Sequence, residues 1–285
     1  MTYLHTHEGA AAPHTHEGVA APHTHDQIPM PGASGDAGQV HPSELHRIRQ
    51  AEGAQPLMSF RDYCFAYDED ATLHHIDLDI YAGDSVVLMG YNGSGKSTLL
   101  KAMNGLVFPQ RGEYFFDGQR VDERSMKDPV FAKRLHARVG FIFQDSDAQL
   151  FCSNVEDEIA FGPRQMGLTE AEVARRVDDV CALLDIDKLR GRAPYHLSGG
   201  EKKKVSIACI LSMNPDVYCF DEPLNGLDIK TRDWLYGFLH KLKASGKTLI
   251  IATHDQSLAD ALADYFVYMG EQHEYSDLPH VHINC

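Results

Sequence analysis

Apolar and polar residues alternate across His75–Tyr81, with Ile76, Leu78 and Ile80 on one side; this period of two predicts a half-buried strand. Another strand is predicted over Met58–Tyr67. Ser85–Met89 is a short apolar strand that runs directly into a glycine-rich turn. A hairpin is expected at Glu113–Asp117, and further strands at Arg138–Phe143, Val217–Asp221 and Thr248–Ala252. The period changes in Thr169–Leu184, where apolar positions recur every three or four residues and Thr169 precedes Glu172 by three. That pattern predicts an amphipathic helix opened by a capping box. Helices are also expected at Glu201–Ser212, Lys230–Ala244 and Gln256–Ala263. Strands alternating with helices imply an α/β fold with a mainly parallel sheet covered on both faces.

Composition narrows this picture. At 285 residues and 43% hydrophobic the chain can bury a sizeable core. Its formal net charge of -15 argues against a general nucleic-acid binder, which needs clustered Lys and Arg to neutralise phosphates. One local nucleotide site remains compatible with that charge. The six cysteines form no CxxC pair, as expected of reduced packing residues in a cytosolic protein. No run approaches the ~18 apolar residues of a membrane span and no signal peptide is evident; contact with a membrane is expected through a partner.

Residues 1–57 differ in kind from the rest. An imperfect nine-residue repeat begins at His5, His14 and His23, reading HTHEGAAAP, HTHEGVAAP and HTHDQIPMP. Pro13, Pro22, Pro29 and Pro31 would interrupt any helix, so the arm is expected to be disordered when unbound. The folded domain is expected over 58–270, with a short histidine-containing tail over 271–285.

Gly90-Tyr91-Asn92-Gly93-Ser94-Gly95-Lys96-Ser97-Thr98 fits GxxxxGK[ST] between a predicted strand and helix. Glycines there let the backbone wrap a phosphate at a helix N-terminus. Lys96 is expected to reach the β- and γ-phosphates of a nucleotide, and Ser97 to place its hydroxyl on Mg²⁺. The apolar strand Val217–Phe220 ends in Asp221-Glu222-Pro223, where α/β sheets place ligand chemistry. Asp221 is assigned to Mg²⁺, directly or through water, and Glu222 to the attacking water.

Leu197-Ser198-Gly199-Gly200-Glu201, lying between those two motifs, resembles the signature sequence of the ABC ATPases. The resemblance runs from near Met58 to near Gly270. It implies an ABC-type P-loop ATPase with a parallel core sheet, a small antiparallel β subdomain and a helical signature subdomain at about 146–200. By the same resemblance Gln144 is the Q-loop glutamine, a Mg²⁺ ligand with a catalytic role. His254 is the catalytic switch histidine, Asp228 belongs to the D-loop, and Tyr67 stacks on adenine. Asn92, Gly93, Ser94, Gly95, Lys96, Ser97 and Thr98 become ATP contacts. The family's head-to-tail dimer implies that Leu197, Ser198, Gly199, Gly200 and Glu201 act on the partner's ATP; this chain carries both halves, so a homodimer would have two competent sites, and a heterodimer is the alternative.

Gln144–Phe151, followed by Asp157-Glu158-Ile159-Ala160-Phe161-Gly162-Pro163, is similar to the energy-coupling-factor branch of ABC importers. That branch takes up vitamins, cobalt or nickel through a transmembrane coupling protein and a substrate-binding membrane component, with the ATPase peripheral on the cytoplasmic face. Three His-Thr-His units, His5 with His7, His14 with His16 and His23 with His25, stand beside Glu8, Glu17 and Asp26 and offer ligands suited to Ni²⁺ or Co²⁺, and equally to Zn²⁺ or Cu²⁺. They favour a metal over a vitamin as cargo without selecting which metal. His273, His280, His282 and Cys285 form a second, weaker candidate set. A nickel-insertion metallochaperone GTPase is the competing class; the absence of an NKxD guanine-reading motif counts against it.

Overall fold

The computed structural model describes residues 53–67, 71–270 and 280–283. The expected metal-binding histidines of the arm, His5, His7, His14, His16, His23 and His25, all lie outside the described residues, as do His273 and Cys285 of the tail. Strands β1 (Met58–Ala66), β2 (Ala71–Ile80), β4 (Arg111–Phe116) and β5 (Gln119–Arg120) form an antiparallel sheet in the order β2-β1-β4-β5. Met58 pairs with Ile80 on one side and Phe116 on the other. The predicted alternation holds: Ile76, Leu78 and Ile80 are all buried.

The second sheet contains β3 (Ser85–Gly90), β6 (Val139–Ile142), β7 (Val217–Asp221), β8 (Thr248–Ala252), β9 (Tyr265–Met269) and β10 (His280–Ile283). Its order is β10-β9-β3-β8-β7-β6, and each described pairing is parallel. Successive strand residues face opposite layers. Val87, Met89, Tyr218, Phe220 and Ile251 join one core cluster with Val205, Leu235 and Leu258. Val86, Leu88, Cys219, Ile250 and Ala252 join the other, with Leu99, Leu100 and Phe60. Burial on both faces explains why these strands read as continuous apolar runs.

The helices are α1 (Lys96–Met103), α2 (Glu123–Met126), α3 (Pro129–Arg138), α4 (Val155–Met166), α5 (Glu170–Leu184), α6 (Gly199–Leu211), α7 (Ile229–Ala244) and α8 (Gln256–Leu262). The capping box between Thr169 and Glu172 opens α5 as predicted. Helix α6 starts two residues before its expected Glu201, because Ser198 is the N-cap and its side chain accepts from the Glu201 N–H. Arg138 belongs to α3 rather than to β6. Helices α2, α3 and α4 and strands β9 and β10 had no assigned counterpart in the sequence pattern. Pro129 sits at the tolerated first turn of α3, while α4 carries Pro163 inside it, where proline argues against a helix. No described helix is long and apolar enough to cross a membrane. The five described cysteines are free thiols.

Candidate functional site

Strand β3 leaves the sheet at Gly90, where a Cβ would lie 2.3 Å from the Met269 carbonyl oxygen and 2.6 Å from Ser94 Oγ. Only glycine fits that exit. Gly93 and Gly95 follow with φ of 89° and 91°, left-handed values that other residues rarely adopt. The N-cap of α1 is Gly95, with no side-chain cap hydrogen bond, so the helix mouth presents amide N–H groups without a side-chain acceptor. Such a mouth suits phosphate oxygens. Lys96 is buried, and its Nζ donates to the carbonyls of Gly90 (2.7 Å) and Tyr91 (2.9 Å). The ammonium thus spans the loop that precedes it. Burial lowers its pKa, while the carboxylates of Glu222 and Asp221 oppose that shift.

Asp221 ends β7, and its Oδ1 accepts from Ser97 Oγ at 2.9 Å. Burial raises the Asp221 pKa and the neighbouring Glu222 charge adds to this, against the Ser97 hydrogen bond. A hydroxyl and a carboxylate paired in a buried place fit Mg²⁺, a hard cation that prefers oxygen ligands and would compensate the buried charge. Glu222 follows with φ 42°, a left-handed conformation that costs a non-glycine residue about 1–2 kcal/mol. Its N–H donates to Ala252 O at 2.9 Å, and its Oε2 lies 2.9 Å from His254 Nδ1. The ends of β7 and β8 therefore bring the expected water-activating carboxylate and switch histidine together.

The signature forms a separate face. Ser198, Gly200 and Glu201 share a hollow of about 300 Å³ with Asp228, Thr231 and Trp234. Ser198 Oγ donates to Glu201 Oε2 at 2.9 Å, and Ser198 N donates to the same oxygen at 2.9 Å. The hydroxyl expected to face a partner's phosphate is thus engaged in its own capping box. Asp228, the expected D-loop residue, caps α7 by accepting from Thr231 N–H. Leu197 is buried, whereas Gly199 is exposed, with only Gly226 O near it, 4.0 Å from where its Cβ would be.

Gln144 is exposed just beyond β6; its carbonyl accepts from Lys203 at 3.1 Å. Among the described residues its side-chain amide makes no hydrogen bond to Ser97 or Asp221. Tyr67 is 55% exposed, stands edge-on to Phe65 and lies 5.8 Å from Lys101 Nζ, leaving ring surface available for a base. Thr98 is buried in the first turn of α1. Lys203 was missed by sequence reasoning; the signal was its place four residues before Ile207, which puts it on the buried face of α6. Among the described residues, Asp62, Cys64 and His75 have ligand atoms within 4.8 Å of one another, but Arg111 and His75 already engage the Asp62 carboxylate.

The ABC transporter family matches residues 73–225. The chain belongs to that family. As an ABC transporter ATPase it is similar to an ATP-binding protein of Clostridium acetobutylicum whose name gives no cargo, at 49% identity over 76% of this chain and 90% of that one. It is 43% identical to the nickel import ATP-binding protein LarO of Lactiplantibacillus plantarum, covering 76% of this chain and 90% of the relative. It is also 43% identical to the cobalt import ATP-binding protein CbiO of Rhodobacter capsulatus, over 73% and 74% of the two chains. Among solved structures, cbiO1 of Clostridium perfringens, part of the ABC transporter complex cbiONQ, superposes with a TM-score of 0.66 at 32% identity, over 76% of this chain and 85% of that one. With the 39% identity to the energy-coupling factor transporter ATP-binding protein EcfA of Methanothermobacter thermautotrophicus, over 73% of this chain and 66% of that one, these likenesses place the ABC ATPase close to the energy-coupling-factor branch.

Proposed function

We propose that this ABC ATPase powers import of a transition-metal ion, cobalt or nickel, through a membrane-embedded energy-coupling-factor transporter. The observation that carries the catalytic part is the meeting of Ser97–Asp221 with Glu222–His254 at the ends of neighbouring strands. ATP phosphates would be held by the Gly93–Thr98 loop, with Lys96 moving from its carbonyl partners to the β- and γ-phosphates. Mg²⁺, held by Ser97 and Asp221 with Gln144, supplies charge neutralisation when bound. Glu222 accepts a proton from the water that attacks the γ-phosphorus, and the bond to ADP breaks. His254 orients the Glu222 carboxylate. Gly199, Gly200 and Ser198 complete the site of a second copy, so that closure of a homodimer transmits the step to the membrane.

The membrane partner's docking surface is assigned to a groove of about 530 Å³ lined by Phe151, Phe161, Met166, Ile210 and Met213. Phe151 is 67% exposed and packs edge-on against Phe161. Buried Glu158 accepts from the N–H groups of Phe151 and Cys152, which holds the turn that displays the ring. An exposed aromatic pair over an apolar groove fits an amphipathic helix of a coupling protein. The chain then sits peripherally on the cytoplasmic face.

The cargo rests on the His-Thr-His repeats together with the nickel and cobalt import relatives. Cellular cobalt and nickel are measured by mass spectrometry after depletion, then after complementation with wild type, Lys96→Ala or a chain lacking residues 1–57. A fall in one metal, restored by wild type but not by Lys96→Ala, supports the reading. Unchanged levels of both metals overturn the cargo and leave a vitamin or another ion.

A further inference from the structure

The ammonium of Lys203 is buried inside α6, five residues past the signature serine, with 2% of the residue exposed. Lysine is rarely so buried without partners, and here two are found. Its Nζ donates to the carbonyls of Phe143 (3.0 Å) and Gln144 (3.1 Å), the first residues after β6. Burial pulls its pKa down to about 8, against the pull of Asp221 and Asp145. Gln149 makes a second tie: its Oε1 accepts from Phe143 N–H at 3.3 Å and its Nε2 donates to Ser206 O on α6 at 3.1 Å. The strand end that carries Gln144 is thus bound to the helix whose N-terminus is the signature.

We propose that Lys203 is a positioning residue that holds Gln144 in register with α6, so that a movement of the signature helix is passed to Gln144 within the same subunit. This rests on the reading of Gln144 as the Q-loop glutamine. A helix that carries the partner-facing motif at its N-terminus and is hydrogen-bonded through Lys203 and Ser206 one to two turns further on is a physically connected link. Lys203 itself touches neither phosphate nor water in this role.

The test is a double-mutant cycle in the full-length chain, with ATPase turnover and binding of a fluorescent ATP analogue as readouts. Lys203→Met keeps the apolar stem but removes both donors. It is expected to bind the analogue within about twofold of wild type and to lose about tenfold in kcat. Gln144→Ala is expected to lose activity too, and the double variant to fall no lower than Gln144→Ala alone. Multiplying losses would overturn the proposal, as would wild-type turnover in Lys203→Met. Wild-type turnover in Gln144→Ala refutes the assignment of Gln144 and the proposal with it, whereas an impaired Gln144→Ala beside an active Lys203→Met refutes only the link. If Lys203→Met loses its fold by circular dichroism, Lys203→Gln, which keeps amide donors, replaces it in the cycle and must show the same non-additivity with turnover between those of wild type and Gln144→Ala.

Discussion

The two signature glycines make opposite predictions. A Cβ on Gly200 would lie 2.5 Å from Thr231 Oγ1 and 3.3 Å from Thr231 Cγ2, across the contact between α6 and α7. A Cβ on Gly199 would meet only Gly226 O, at 4.0 Å, an ordinary contact. Overpacking of this kind costs about 1–3 kcal/mol, while alanine in place of a helical glycine returns about 0.5–1 kcal/mol. Gly200→Ala should therefore lose roughly 1 kcal/mol of stability, and Gly199→Ala should be neutral or slightly more stable. Thr231→Ala removes both clashing atoms and leaves Thr231 Cβ at 3.4 Å. It also removes the hydrogen bond from Thr231 Oγ1 to Asp228 Oδ2, a separate loss that a double-mutant cycle subtracts.

Urea unfolding of the full-length chain without nucleotide measures each variant, and the coupling between Gly200→Ala and Thr231→Ala is expected to be favourable by about 1–2 kcal/mol. Additive behaviour, or a Gly200→Ala as stable as wild type, would refute close packing as the reason for glycine there. Gly199→Ala separates the other role. Its fold should be intact while ATP turnover drops, because the added methyl stands where a second copy's phosphate is expected. Full turnover in Gly199→Ala would falsify the partner-facing role of that glycine.

Glu222→Gln should leave ATP binding intact and stop turnover, so that gel filtration with Mg²⁺ and ATP shows a dimer; a monomer at every protein concentration contradicts the composite site. Asp221→Asn should abolish Mg²⁺-dependent hydrolysis yet melt higher than wild type at neutral pH. The folded-state pKa of Asp221 is raised by burial, so its relative stabilisation is complete below the unfolded value near ~4 and is lost as pH rises through the folded value. The advantage of Asp221→Asn should accordingly vanish in acid and widen toward neutrality; a pH-independent difference in melting would refute that cause. Tyr67→Ala should weaken ATP binding by about 1–3 kcal/mol if the ring stacks on the base, and an unchanged affinity would remove Tyr67 from the site.

Much of the local structure was legible because it depends on short-range rules. The capping box at Thr169 and Glu172 and the bounds of β7 and β8 follow from neighbours a few residues apart. Helix α4 was not legible, since Gly162 and Pro163 within Val155–Met166 weaken a helical pattern that only packing restores. There, a Cβ on Gly162 would lie 2.7 Å from Met213 Cγ, so glycine is needed for the approach of another segment rather than for a turn. Lys203 was hidden for a related reason: it stands in a run of three lysines that reads as a solvated patch, while on a helix successive residues point about 100° apart.

The site depends on something still less visible in sequence, the order of strands in space. Along the chain β3 precedes β7, which precedes β8, but in the sheet β8 lies between the other two. That inversion sets His254, beyond β8, between the phosphate loop beyond β3 and the acidic pair beyond β7. Asp221 pairs with Ala252 in the ladder, and Glu222 N–H continues onto the Ala252 carbonyl. This last rung fixes Glu222 in its left-handed turn and brings its carboxylate to His254. Had β7 lain next to β3, the same three motifs would be present with the histidine on the far side of the acids. Motif spelling thus identifies the chemical groups, and the parallel sheet's crossover order makes them one site.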